Sequence, residues 1–102
     1  MEQSPPVSSS DAPTSALAAE VRRLDAARSA CRNGAYNEAI GLVQDYHREF
    51  PQGVLAPDAD VVAIEAFLGK KDHAAVVQHA TAFLAKYPDD PHSDMVQRWA
   101  TP

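Results

Sequence analysis

Four histidines, one cysteine and a short acidic run are the residues of this chain whose chemistry could be put to use. His47, His73, His79 and His92 would be the metal or acid–base candidates. No two stand four apart, the spacing that sets two imidazoles on one helical face for zinc, and no H-E-x-x-H run occurs. A zinc centre needs three or four converging ligands, so these are read as surface or half-buried histidines. Cys31 would be the nucleophile. It falls on an apolar stripe near a helix C-terminus, where the dipole opposes a thiolate, and is read as a small packed residue. The run PDDPHSD holds Asp89, Asp90 and Asp94 but neither the glycine nor the terminal glutamate of a calcium loop, and helix capping explains it better. No G-x-S-x-G, P-loop or dinucleotide motif occurs. The expectation is a non-enzymatic protein without cofactor or metal.

The arginines carry the other chemistry. Arg22, Arg23, Arg28 and Arg32 lie in one stretch with Glu20 and Asp25. Paired guanidinium hydrogen bonds could grip a carboxylate or an acidic peptide. The plainer reading is a solvated helix face on which Asp25 pairs with Arg22 or Arg28 three residues away, each pair worth about 0.2–0.5 kcal/mol.

The elements that position these groups follow from composition and period. The chain has 102 residues, 45% hydrophobic and 23% charged, with only four glycines. That is room for one small domain, and its abundant alanine favours helix. A formal net charge of −5 argues against nucleic acid, which needs a basic surface. A lone cysteine allows no internal disulfide and leaves the redox compartment open. No apolar run approaches the ~18–20 residues that cross a bilayer. Residues 1–14, rich in Pro and Ser, are predicted to be a disordered linker, either a free tail or a tether to something beyond this chain.

Helical spacing begins at residue 15. Leu17, Val21, Leu24, Ala27 and Cys31 form one stripe, stopped by Asn33-Gly34. A second helix from about Tyr36 buries Ile40, Val43, Tyr46 and Phe50 and is closed by Pro51. A third begins near Ala56–Asp58, with Pro57 in its first turn, presents Val61, Ile64, Phe67 and Leu68, and ends at Gly69. Asp72 caps a fourth carrying Val76, Ala80, Phe83, Leu84 and Tyr87 before Pro88. A fifth, capped by Asp90 and started by Pro91, carries Met95 and Trp99. Phe50-Pro51 and Tyr87-Pro88 stand 37 residues apart, as do GAYNEAI at 34–40 and KDHAAVV at 71–77. The chain therefore repeats a helical hairpin, and hairpins stack because one alone cannot bury its faces.

The stretch GAYNEAIGLVQDYHREFP resembles the second helix of a tetratricopeptide (TPR) repeat, with Gly34, Tyr36, Ala39, Tyr46 and Pro51 at favoured positions. The second copy departs at His73 and Val76, and the first helices depart more. The long period and the FP or YP endings are similar to the TPR domains of bacterial envelope proteins, such as the lipoprotein of outer-membrane assembly and the periplasmic partner of the Tol–Pal system. The resemblance implies an all-α fold: a TPR-like right-handed solenoid of two antiparallel hairpins, at about 15–51 and 55–88, plus a C-terminal capping helix at about 91–100, within a domain spanning 15–102. It also implies a scaffold that binds a protein or peptide through a concave surface, in the bacterial periplasm or envelope, with the cytoplasm as the alternative. A membrane would be reached only through a tether outside this chain. First helices line the concave face in such stacks, which would put Asp25, Arg28, Arg32 and Glu65 in the groove. Met95 and Trp99 would either close the second hairpin or anchor a second copy, making a homodimer the alternative use of the domain.

Overall fold

The computed structural model describes residues 12–100, and these form five helices: α1 (Ala12–Arg32), α2 (Tyr36–Glu49), α3 (Ala56–Gly69), α4 (His73–Lys86) and α5 (Ser93–Ala100). Among the described residues there is no strand. Residues 1–11, most of the expected linker, lie outside them. Residues 12–14 correct that expectation: they belong to α1, where Pro13 suits a first turn because its missing N–H has no intrahelical partner to lose.

Each helix packs on the next, and α1 also packs on α3. α1–α2 and α3–α4 are thus antiparallel hairpins laid side by side, the TPR-like arrangement. The repeat is literal at the backbone. α2 and α4 start 37 residues apart and end 37 apart. Their C-caps, Phe50 (φ −128°, ψ 70°) and Tyr87 (φ −130°, ψ 65°), have nearly the same conformation. The turns inside the hairpins match too. Ala35 N–H reaches Ala30 C=O at 2.8 Å, and Asp72 N–H reaches Phe67 C=O at 3.0 Å. These bonds close each first helix over one left-handed residue. In the first turn that residue is Gly34 (φ 79°); in the second it is Lys71 (φ 62°), which lacks glycine's freedom. Asp72 caps α4 as expected, its Oδ1 accepting from Ala75 N–H at 3.2 Å.

The core is built from small residues between helices. Ala30, Ala39 and Ala66, from α1, α2 and α3, are buried together and let three helices approach closely. Leu24, Ala27, Val43, Tyr46, Ala59 and Val62 fill the first hairpin and its contact with α3. Val61, Ile64, Val76, Ala80, Phe83 and Val96 fill the second hairpin and seat α5. α3 is therefore buried on several sides, between two hairpin interiors.

Three expectations need correction. Leu17 and Val21 are each 41% exposed, so the first two positions of the predicted stripe are not core. Leu68 is exposed at the end of α3. α5 starts at Ser93 rather than Pro91, and Asp90 does not cap it. The Asp90 carboxylate instead accepts from His92 N–H at 2.8 Å and meets the His92 ring at 2.7 Å, holding a turn ahead of the helix.

α1 is held at its N-terminal half by a polar contact. Glu20 is only 4% exposed. One oxygen, Oε1, accepts from Tyr46 Oη–H at 2.6 Å and from Leu55 N–H at 3.0 Å. This ties α1 to α2 and to the turn that leads into α3. A side chain at Gly53 would collide with both Tyr46 Oη and Glu20 Oε1, so the turn must carry glycine there. Burial, with the Glu20 bond second, pushes the Tyr46 phenol well above its ordinary value.

Two tests follow. Nothing lies near a Cβ built on Gly34, so Gly34→Ala should cost about 1 kcal/mol through backbone strain alone, while Lys71→Gly at the matching position should stabilise by a similar amount. Urea unfolding measures both, and equal effects of the same sign would contradict the matched turns. Gly69 packs directly under the Tyr36 ring. Gly69→Ala should destabilise by about 1 kcal/mol in the parent chain, since overpacking outweighs the gain in helix propensity. In a Tyr36→Ala background the same change should stabilise, and a stabilising Gly69→Ala in the parent would refute the contact.

Candidate functional site

A depression forms where α1 passes α3. Arg28, Cys31 and Arg32, at the C-terminal end of α1, face Glu65, Leu68 and Gly69 on α3, and Tyr36 closes the end from α2. Together they line a depression of about 430 Å³. The spacing reflects the helical period: residues 28 and 32, like 65 and 69, are one turn apart and share a face. Cys31, Tyr36 and Leu68 supply the apolar wall, and the charged groups stand along it.

The electrostatics are uneven. Partial burial pushes the Glu65 carboxyl up from its ordinary range, against the opposing pull of Arg28 and then His92. Burial, and after it the Glu65 charge, push the Cys31 thiol up as well. A raised thiol is a poor nucleophile, which suits a packing role. Arg28 lies 3.9 Å from Asp25 on its own helix as well as acting on Glu65. Arg32 has no ion pair among the described residues.

A second depression, of about 460 Å³, adjoins at Leu68, which lines both. Its other walls are His73, Ala74, Val76 and Val77 of α4 and Arg98 and Trp99 of α5. It is mainly apolar.

Of the six residues singled out in the sequence, Arg28, Arg32 and Glu65 meet in the first depression and Trp99 lines the second. Asp25 lines neither and is exposed, paired with Arg28. Met95 packs partly buried against the core that holds Val96. Sequence reasoning missed Cys31 and Tyr36 as groove walls and Leu68 as the junction. The signal for Leu68 was present: it stands next to Gly69 at the end of α3, where a stripe residue outruns its partners.

The histidines do other work. His47 and Asp60 meet at 2.7 Å and join α2 to α3. His92 lies 2.7 Å from Asp90 and 3.4 Å from Asp58, linking the α4–α5 turn to α3. His79 stacks on Phe67 with ring centroids 4.8 Å apart. Among the described residues no group of three or more His, Cys, Asp or Glu is placed to hold a metal ion. None of the described helices is long and apolar enough to cross a membrane.

Comparison with known proteins returned no match among curated proteins and none among solved structures. It did return a family match. The family described as YfiO, outer membrane lipoprotein, matches residues 20–97. That span opens on the buried Glu20, runs through both hairpins and reaches into α5. Stacked helical hairpins, a TPR-like repeat and this match agree, and the chain belongs to the YfiO family of TPR-containing outer membrane lipoproteins.

Proposed function

We propose that this domain is a non-catalytic protein-interaction module of the bacterial envelope, which holds a protein or peptide partner in the groove between α1 and α3. The observation that carries this reading is the first depression. Arg28 and Arg32 on one helix stand opposite Glu65 on another, above apolar walls. Charged groups on an apolar concave wall are the ingredients of a surface that orients a partner as well as retaining it. Membership of an outer membrane lipoprotein family supports the envelope as the setting.

Self-association through α5 has less support. α5 begins 37 residues after α3 and so stands as the first helix of a third hairpin. Val96 takes the place of Ala59, and both are buried. Arg98, exposed, takes the place of the buried Val61. A helix that is apolar inward and charged outward closes a stack of repeats.

The test places a photo-activated cross-linking amino acid at Leu68 in the groove, with Gln78 on the exposed side of α4 as control. In envelope extracts of the native host, Leu68 should capture a discrete polypeptide that Gln78 does not. Arg28→Glu should abolish the capture and leave the circular dichroism spectrum unchanged. Equal capture from both positions, or capture indifferent to Arg28→Glu, would refute the groove as the interaction site.

A further inference from the structure

We infer that the two depressions act as one docking surface whose occupant is an acidic, amphipathic segment of a partner protein. Its apolar side chains would lie over Tyr36, Leu68 and Trp99, and its carboxylates on Arg32 and Arg98. This rests on the groove reading above and goes beyond it by naming the partner's chemistry.

Two guanidiniums without an ion pair among the described residues, on an otherwise acidic chain, point to an acidic partner. The chain is acidic overall, with a formal net charge of −5. Arg23 pairs with Glu49 at 2.8 Å, Arg48 pairs with Asp45, and Arg28 has Asp25 and Glu65. Arg22, Arg32 and Arg98 have no ion pair among the described residues. Arg22 lies on another part of α1. The other two line the two depressions, on either side of the exposed Leu68.

Each alternative occupant fails on one count. A basic segment would meet two guanidiniums that have no ion pair of their own among the described residues, and the carboxylate lining the first depression, Glu65, is already drawn to Arg28. A purely apolar segment would strip water from those guanidiniums without replacing their hydrogen bonds. A purely acidic one would leave Leu68 and Trp99 exposed. An acidic amphipathic segment satisfies both kinds of group, and guanidinium–carboxylate pairs are the strong, directional ones. The rest of the acidic surface would repel such a segment, which confines it to this patch. A flat anionic membrane fits less well, because the contacts lie in depressions, the first of them lined also by Glu65.

The probes are three short synthetic peptides: one of Glu and Leu, one with Lys replacing Glu, and one with Ser replacing Leu. Trp99 is the only tryptophan, so its fluorescence reports the second depression directly. Backbone amide shifts of Tyr36, Leu68 and Trp99 report the junction. The Glu/Leu peptide should shift all of these, more weakly as salt rises. Arg32→Glu and Arg98→Glu should each weaken it about ten-fold or more, the range of an interface charge pair. The Lys and Ser peptides should not bind there. Groove shifts with the Lys/Leu peptide instead would keep the groove as a binding site and overturn the acidic partner. No groove shift with any peptide would overturn the inference together with the groove reading. Trp99 changes seen only with phosphatidylglycerol vesicles, or concentration-dependent self-association lost in Arg98→Glu, would replace the proposed occupant with a membrane or a second copy.

Discussion

One buried carboxylate sets the register of the first hairpin. Near the start of α1, Leu17 and Val21 face water about as much as protein. Glu20 is almost fully covered, and Tyr46 and the Leu55 amide both donate to one of its oxygens. Taking a carboxylate out of water costs several kcal/mol, and only complete hydrogen bonding offsets that. The contact is therefore demanding. It fixes how far α1 lies along α2, how the α2–α3 turn folds, and which residue occupies position 53. Arg28 and Arg32 ride on the same helix, so the groove inherits its alignment from this contact.

The second hairpin reaches the same backbone shape without that device. At the positions 37 residues on, Pro57 stands for Glu20 and the buried Phe83 for Tyr46, so neither half of that hydrogen bond is present. The turn amide that Glu20 satisfies in the first hairpin belongs to Leu55; its counterpart, on His92, is satisfied locally by Asp90. Volume is also exchanged between copies. Ala39 and Val43 on α2 become Val76 and Ala80 on α4, and all four are buried. A small residue beside a larger one is kept, with the order reversed, so each interface still fills. Two solutions to one geometry explain why the second copy matches the TPR pattern less well while keeping its caps.

Much of this was legible because it is local. Gly34, Asp72, Pro57 and the aromatic–proline endings each act within a few residues, and the structure places each where its local chemistry requires. The period of 37 gave the stacking, and stacking gave the shared face of Arg28, Arg32 and Glu65. What escaped depends on distance along the chain. Glu20 sits among helix-surface charges and looks solvated; its partners lie 26 and 35 residues away. The demand for glycine at position 53 comes from the same distant partners, Tyr46 and Glu20. Val96, fully buried, was passed over for the larger Met95 and Trp99, because size was visible and orientation was not. Asp25 was placed in the groove by a helical face drawn too wide.

A double-mutant cycle on Glu20 and Tyr46 tests the governing contact most directly. Tyr46→Phe and Glu20→Gln should each destabilise by about 1–3 kcal/mol in urea unfolding, since each leaves a buried polar group with a broken partner. The pair should lose less than the sum, with a coupling energy of about 1 kcal/mol or more. Amide exchange across α1, out to Arg28 and Arg32, should quicken in both single variants. Additivity of the two substitutions to within about 0.5 kcal/mol, with exchange in α1 unchanged, would show that the carboxylate does not set the position of α1.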